Sequence, residues 1–372
     1  MTRLEIRNLS KSFGSLRLFH DVGFAVAAGE TLALAGPSGG GKTILLRLIA
    51  GIMEPDEGSI LIDGKDVGGV GPEARDVGVA FQNFALYPHM TAFENIASPL
   101  RARGTETARV KERVTEVAAL LKIDHVLENQ PRELSNGQKQ RTALARALIR
   151  RPKVLLLDDP LRNVDAKLRY EMRLELPRLL AVADCAAIYV TQDYREAMGL
   201  GDLVGILRAG RFEQIAPPAE IYTRPRSVEI ARLFGDPTIN LLPCRPERTA
   251  EGLQVEIFGR PMPLPLHFAA AEGRDCLIGV RPEHVSVGLQ NGPGSLPFEL
   301  NAVTPLNVRA VLFLRDAAGT ELLATCPEDD ALAFGRGHHR VFVTIDTSRA
   351  LLFDRENGQT LALPAAAQPL AA

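Results

Sequence analysis

The 372-residue chain has no tryptophan, few aromatic residues and only four cysteines. Cys185, Cys244, Cys276 and Cys326 lie far apart, with no C-x-x-C pair and no histidine at ligand spacing. That scatter argues against a zinc ribbon or a disulfide framework and fits a reducing compartment. No uninterrupted apolar run approaches the roughly 18 residues needed to span a bilayer. Arg3, Glu5, Arg7 and Lys11 leave no room in the opening segment for the apolar stretch of a secretory leader. The chain is therefore expected not to cross a membrane itself, while a partner could. An excess of one charge is missing too. With 43 basic and 45 acidic residues the net charge is −2, so bulk electrostatics favours neither nucleic acid nor an anionic lipid surface.

What is present is a globular composition, 46% apolar and 24% charged, long enough for two or three domains at about 150 residues each. Proline divides it unevenly: 12 fall in residues 1–235 and 13 in the remaining 137. A domain boundary near 236 follows. Before it, strand-like TLALAG (31–36) precedes a glycine-rich turn and helix-like ILLRLIAG, and VLLLD (154–158) precedes a long amphipathic stretch. Such alternation predicts a parallel sheet flanked by helices. LEIRNL near the start and ILID (60–63) read as half-buried antiparallel strands added to that core. Between about 90 and 150 the pattern turns helical, with Val110, Val114, Val117, Leu120 and Leu121 proposed as one apolar stripe. After 236, LQVEIFG, CLIGVRP and RVFVTID are short strand candidates separated by Pro and Gly, the pattern of small β-barrels. Residues 361–372 show nothing able to bury a core and are expected to form a disordered tail.

Three motifs carry chemistry. GPSGGGKT (36–43) fits G-x-x-x-x-G-K-[ST] between a predicted buried strand and a predicted helix. Its residues Gly36, Pro37, Ser38, Gly39, Gly40 and Gly41 would curl the backbone so that N–H groups and the helix start face a polyphosphate. Lys42 would reach the β and γ phosphates, and Thr43 would supply a Mg²⁺ ligand. In VLLLDDP (154–160) Asp158 ends a buried strand at the edge where α/β sheets bind ligands, a position suited to holding Mg²⁺. A turn aspartate would look the same if the motif stood alone. ELSNGQKQRTALARAL (133–148) opens with Ser135 three residues before Gln138, a capping box ahead of an Arg-laced helix.

Together these motifs resemble the ATP-binding subunits of ABC transporters, and within them the carbohydrate-importer group typified by the maltose importer ATPase. The resemblance extends over residues 3 to about 360. It implies an α/β P-loop ATPase domain with antiparallel β and helical subdomains (1–235), followed by an all-β regulatory domain of the oligonucleotide-binding type (236–360). GDPTINLL (235–242), IGVRPEH (278–284) and LLFDRENGQTL (351–361) resemble landmarks of that appended domain. Barrels of this kind serve many ligands, and no aromatic, basic-rich pattern here favours nucleic acid.

The same resemblance assigns roles. LSNGQ (134–138) matches the family signature LSGGQ at four of five positions, placing Ser135, Asn136, Gly137 and Gln138 on the nucleotide held by the opposite subunit. Phe13 of KSFG would stack on adenine. FQNFALYPHMTAFENI (81–96) resembles the Q-loop region, with Gln82 near Mg²⁺ and the attacking water and the following residues facing the membrane partner. VDAKLR (164–169) resembles the D-loop, and VTQDYREAM (190–198) the switch region. ATP and Mg²⁺ are the implied cofactors. The implied partners are a second ABC ATPase, two membrane-spanning permeases and, indirectly, an extracytoplasmic solute-binding protein, with the chain at the cytoplasmic face of the membrane. The solute would be a sugar, a polyol or glycerol.

Four positions depart from the family pattern. Asp159 stands where a glutamate polarises the attacking water, so its carboxylate sits on a stem one methylene shorter. Gln192 replaces the switch histidine and cannot become cationic. Asn136 replaces a signature glycine, and Arg162 replaces a D-loop serine. A slow homodimeric ATPase and a regulatory module that binds ATP with little hydrolysis both accommodate these changes. The favoured expectation is the catalytically weakened half of a heterodimer, because both water-activating positions, Asp159 and Gln192, have changed while Lys42, Thr43 and Asp158 are intact.

Overall fold

The computed structural model describes residues 2–306, 308–335 and 339–362. The chain forms two compact units, Met1–Pro218 and Ala219–Ala372.

In the first unit a six-stranded sheet runs in the order Arg211–Ala216, Leu203–Arg208, Thr31–Ala35, Ala186–Val190, Val154–Asp158, Val77–Ala80. All neighbours are parallel except the first pair. The strands Thr31–Ala35, Ala186–Val190 and Val154–Asp158 are buried at every residue, which is why they read as unbroken apolar runs rather than alternating ones. A second, antiparallel sheet orders Leu16–Ala27, Thr2–Phe13, Glu57–Ile62 and Lys65–Asp66. Its inward residues Leu4, Ile6, Val22 and Ile60 share one core with Leu32, Leu45 and Ile188. This sheet packs on the parallel one; LEIRNL alternates as expected, with Leu4 and Ile6 buried, whereas in ILID the three residues Ile60, Leu61 and Ile62 are all buried.

The helical subdomain consists of Ala92–Arg101, Thr107–Leu120 and Asn136–Leu148. Val110, Val114, Val117 and Leu121 are buried as expected, but Leu120 is 42% exposed. At 3.6 residues per turn, positions 114, 117 and 121 fall within about 40° of Val110, whereas 120 lies about 80° away. Leu120 therefore leaves the stripe. The long stretch after Val154–Asp158 is the helix Ala166–Ala183, capped by Asp165.

The second unit contains four-, three- and five-stranded sheets built from strands between Asn240–Cys244 and Thr360–Ala362. One core joins them, including Leu253, Phe268, Ile278, Phe298, Leu312 and Val343. The unit begins earlier than the proline shift near 236 suggests. Val228 and Ala231 of the helix Val228–Leu233 pack on Ile239, Leu351 and Phe353. The buried Arg281 guanidinium, from the IGVRPEH segment, donates to the carbonyls of Tyr222 (2.6 Å), Ala231 (3.1 Å) and Phe234 (3.3 Å). These bonds satisfy a cation whose isolation from water would otherwise be costly, and they attach residues 222–234 to the β-rich unit. Of the expected tail, Leu361 and Ala362 belong to the strand Thr360–Ala362, and residues 363–372 lie outside the described residues. Among the described residues no helix is long and apolar enough to cross a membrane.

Candidate functional site

The turn between Thr31–Ala35 and the helix Lys42–Ala50 is dictated by backbone space. Gly36 has φ +145°, and a Cβ there would lie 2.3 Å from the Leu207 carbonyl oxygen. Gly41 caps the helix at φ +89°, and its missing Cβ would lie 2.8 Å from the Phe19 ring. Only glycine meets both demands. The turn leaves Pro37, Ser38 and Gly39 exposed at the start of a helix, where unpaired N–H groups and the helix dipole favour an anion.

Lys42 is buried, and its ammonium donates to the carbonyls of Gly36 and Pro37, both at 2.8 Å. Burial lowers its pKa, opposed by the charges of Asp159 and Asp158. The Thr43 hydroxyl donates to Asp158 Oδ1 at 3.1 Å. Burial raises the Asp158 pKa, opposed first by that hydrogen bond. A hydroxyl and a carboxylate side by side are hard oxygen donors. They fit Mg²⁺ bound mainly through phosphate and water, an ion that needs only one or two protein oxygens in such sites.

Asp159 follows with φ 44°, in the left-handed region, and its N–H donates to the Val190 carbonyl at 2.9 Å. Its carboxylate is buried, with Arg162 Nη1 3.6 Å away. Burial, reinforced by the charge of Glu196, pushes its pKa up to about 6, while Arg162 acts in the opposite direction. The structure thus places the carboxylate beside the strand ends but among other negative groups. Gln192 is exposed on the short segment between Ala186–Val190 and the helix Tyr194–Leu200. Gln82 is half-buried, and its carbonyl accepts from Asn163 Nδ2 at 2.9 Å. Phe13, 42% exposed, ends its strand with Lys11 Nζ 5.7 Å from the ring centroid. It belongs to the same hairpin as Phe19, which backs the phosphate loop.

Ser135 and Gln138 form the predicted capping box, with Ser135 Oγ accepting from Gln138 N at 3.2 Å and Gln138 Oε1 accepting from Ser135 N at 2.9 Å. Such a cap contributes about 1 kcal/mol. A Cβ on Gly137 would lie 2.2 Å from Leu168 Cδ2, so this glycine permits close helix contact. Asn136 Nδ2 donates to the Asn163 carbonyl at 3.4 Å. The chain's own phosphate loop, Thr43, Asp158 and Asp159 converge at the strand ends, whereas the hydrogen bonds of Ser135, Asn136 and Gln138 go to their own helix and to Asn163.

Sequence reasoning missed several supporting residues. Buried Glu196 accepts from Tyr189 Oη (2.9 Å) and Thr191 Oγ1 (2.8 Å). Arg173 pairs with Asp193 at 2.6 Å, bracing the segment that carries Gln192. Arg146, in the helix behind the capping box, donates to the carbonyls of Ala85 (2.7 Å) and Phe84 (3.1 Å). It also lines a groove of about 480 Å³ with Val79, Phe81, Ala85, Tyr87 and Ser98.

A glycine-shaped turn on a parallel α/β sheet, a buried lysine and a hydroxyl–carboxylate pair define the P-loop nucleotide-binding class. A family model described as ABC transporter matches residues 19–162. The sn-glycerol-3-phosphate import ATP-binding protein UgpC of Cereibacter sphaeroides is 42% identical over 363 residues, 97% of this chain and 100% of that protein. Its namesake in Psychromonas ingrahamii is 36% identical over 366 residues, 96% of this chain and 95% of that protein. Among solved structures, a dimeric ATP-binding cassette in a post-hydrolysis state, bound to ADP and Pi, aligns with a TM-score of 0.52 and 27% identity. The alignment covers 58% of this chain and 98% of that one. This chain belongs to the ABC transporter family, as an import ATP-binding subunit; the family's activity is ATP hydrolysis coupled to transport.

Proposed function

We propose that the chain energises import of a small polyol-type solute, of the glycerol or glycerol-3-phosphate class, as the catalytically weakened member of a heterodimeric ATPase pair at the cytoplasmic face of the membrane. The solute class is supported by the names of relatives that match nearly the whole chain. In this reading the backbone of residues 36–43 and Lys42 bind the phosphates of ATP, Phe13 stacks on adenine, and Thr43 and Asp158, with Gln82, hold Mg²⁺. The ion supplies neutralisation of phosphate charge when bound. Ser135, Asn136, Gly137 and Gln138 contribute to the nucleotide on the partner ATPase. The second unit acts as a regulatory barrel of the oligonucleotide-binding type. The groove beside Tyr87 and Arg146 receives a segment of a membrane-spanning permease, which an extracytoplasmic solute-binding protein serves from the other side.

The observation that carries the asymmetry is the contrast between the Lys42, Thr43 and Asp158 constellation and the neighbouring Asp159 and Gln192. Asp159 would have to orient and polarise the attacking water from a stem one methylene shorter than glutamate. A reacting group displaced by about an ångström can cost on the order of a hundredfold in rate. Gln192 can donate one hydrogen bond toward a phosphate but carries no charge. A partner with Glu and His at these positions would supply the fast site. The test is to purify the chain alone and with a second ATPase, the two permeases and the binding protein, and to measure hydrolysis and uptake of glycerol and glycerol-3-phosphate. The proposal expects ATP binding with slow hydrolysis alone and fast, solute-dependent hydrolysis in the complex. Fast turnover by this chain alone would overturn the asymmetry, and a complex that moves neither solute would overturn the solute class.

A further inference from the structure

The segment that follows Val77–Ala80 has an unusual backbone. Phe84 and Ala85 are consecutive non-glycine residues at φ 63° and 47°, a conformation that L-residues hold only when the surroundings enforce it. Two helices do so. Asn95, fully buried in Ala92–Arg101, accepts from Tyr87 N at 2.8 Å through Oδ1. Its Nδ2 donates to the carbonyls of Tyr87 (3.1 Å), Met90 (3.1 Å) and Thr91 (3.0 Å). From the helix Asn136–Leu148, Arg146 places its two terminal nitrogens on the carbonyls of Ala85 (2.7 Å) and Phe84 (3.1 Å). The guanidinium carbon lies 5.6 Å from the Tyr87 ring centroid.

A planar guanidinium bonded to two successive carbonyls fixes the orientation of both peptide planes, which a single ammonium cannot do. The other end of the same helix reaches the same segment. Asn136 Nδ2 donates to the Asn163 carbonyl at 3.4 Å, and Asn163 Nδ2 donates to the Gln82 carbonyl at 2.9 Å. Ten residues of helix, about 15 Å at 1.5 Å per residue, separate Arg146 from Asn136. The helix is therefore bonded directly to Phe84 and Ala85 near its C-terminal end and linked to Gln82 at its N-terminal end only through Asn163. Arg146 also stands in the wall of the groove formed with Phe81, Tyr87 and Ser98.

We propose that Arg146 is a positioning residue that makes residues 82–87 and the helix bearing Ser135–Gln138 move as one body, so that whatever fills the groove also moves the signature end of that helix. This inference rests on the reading of the groove as the seat of the membrane partner. Arg146 is hydrogen-bonded to neither the phosphate loop nor Asp158, and Gln82 keeps its own bond from Asn163, so the effect of Arg146 falls on coupling far more than on nucleotide affinity.

The test uses the full complex with Arg146→Gln, Arg146→Lys and Tyr87→Ala. For R146Q the inference expects ATP affinity within about twofold of the unsubstituted chain and normal recovery of the complex. Uptake should fall at least tenfold, with loss of the solute response of hydrolysis. Amide hydrogen exchange should rise across residues 82–87 and stay unchanged across 36–43. R146K, which keeps the charge but not the fork, should fall in between, and Y87A should lose least. R146Q coupling like the unsubstituted chain would overturn the inference. So would a fall in ATP affinity parallel to the fall in uptake in both R146K and R146Q, which marks general damage to the fold. If the unsubstituted chain assembles with no membrane partner, the importer reading itself fails, and this inference with it.

Discussion

The part of the candidate site proposed to hold phosphate and the part proposed to activate water are built differently. On the phosphate side the geometry is imposed by the main chain. Gly36 and Gly41 occupy positions where a side chain would strike the Leu207 carbonyl and the Phe19 ring, and Lys42 and Thr43 are fixed at the start of the helix that follows. On the water side it depends on the reach of individual side chains. Asp159 has one cation at 3.6 Å and negative neighbours around it, and Gln192 is exposed. In the proposed reading such a site keeps its grip on a nucleotide through substitutions that slow its chemistry, because binding relies on backbone and turnover on side-chain length and charge.

The largest effect should come from breaking the phosphate side. Lys42→Ala removes a buried cation and the charge-assisted bonds it would make to phosphate, about 1.5–3 kcal/mol. ATP affinity, followed by fluorescence titration, should drop by at least about tenfold, and solute uptake should be abolished. Gly36→Ala tests the backbone claim directly. The added methyl has no room against Leu207, so both the thermal midpoint and ATP binding should fall, while Gly39→Ala, with open space around its Cβ position, should lose less.

Restoring the water side should sharpen the contrast in the opposite direction. Asp159→Glu combined with Gln192→His should raise hydrolysis at this chain's own site by about ten- to a hundredfold, read as phosphate release, with nucleotide affinity changed little. An unchanged rate would show that side-chain reach is not what limits this site. The smallest effect, one on stability, belongs to the helix Asn136–Leu148, which in the proposed function faces the partner's nucleotide. Ser135→Ala removes one half of the capping box and should cost about 1 kcal/mol, a shift of a few degrees in thermal midpoint measured by calorimetry.

The phosphate loop was legible because glycine spacing records a backbone requirement directly, and the buried strands were legible because burial on both faces leaves unbroken apolar runs. Arg146, Asn163 and Glu196 were not legible. Each is an ordinary polar residue on a helix or turn, and its role comes from carbonyls or hydroxyls brought to it by the fold: Phe84 and Ala85 for Arg146, Gln82 for Asn163. The start of the second unit was misplaced for the same reason. Proline density marks where loops become frequent, but the attachment of residues 222–234 depends on Arg281, far along the chain. The spacing reading includes Leu120 in the stripe, whereas its angle around the helix and its exposure place it outside.

The central claim, an intact grip on ATP beside impaired turnover, is tested most directly by counting phosphates. The purified complex, loaded with ATP and then allowed a single rapid turnover, should bind two nucleotides per ATPase pair and release one phosphate in the fast phase. The second phosphate should follow slowly. Release of both phosphates at one common fast rate would contradict the account.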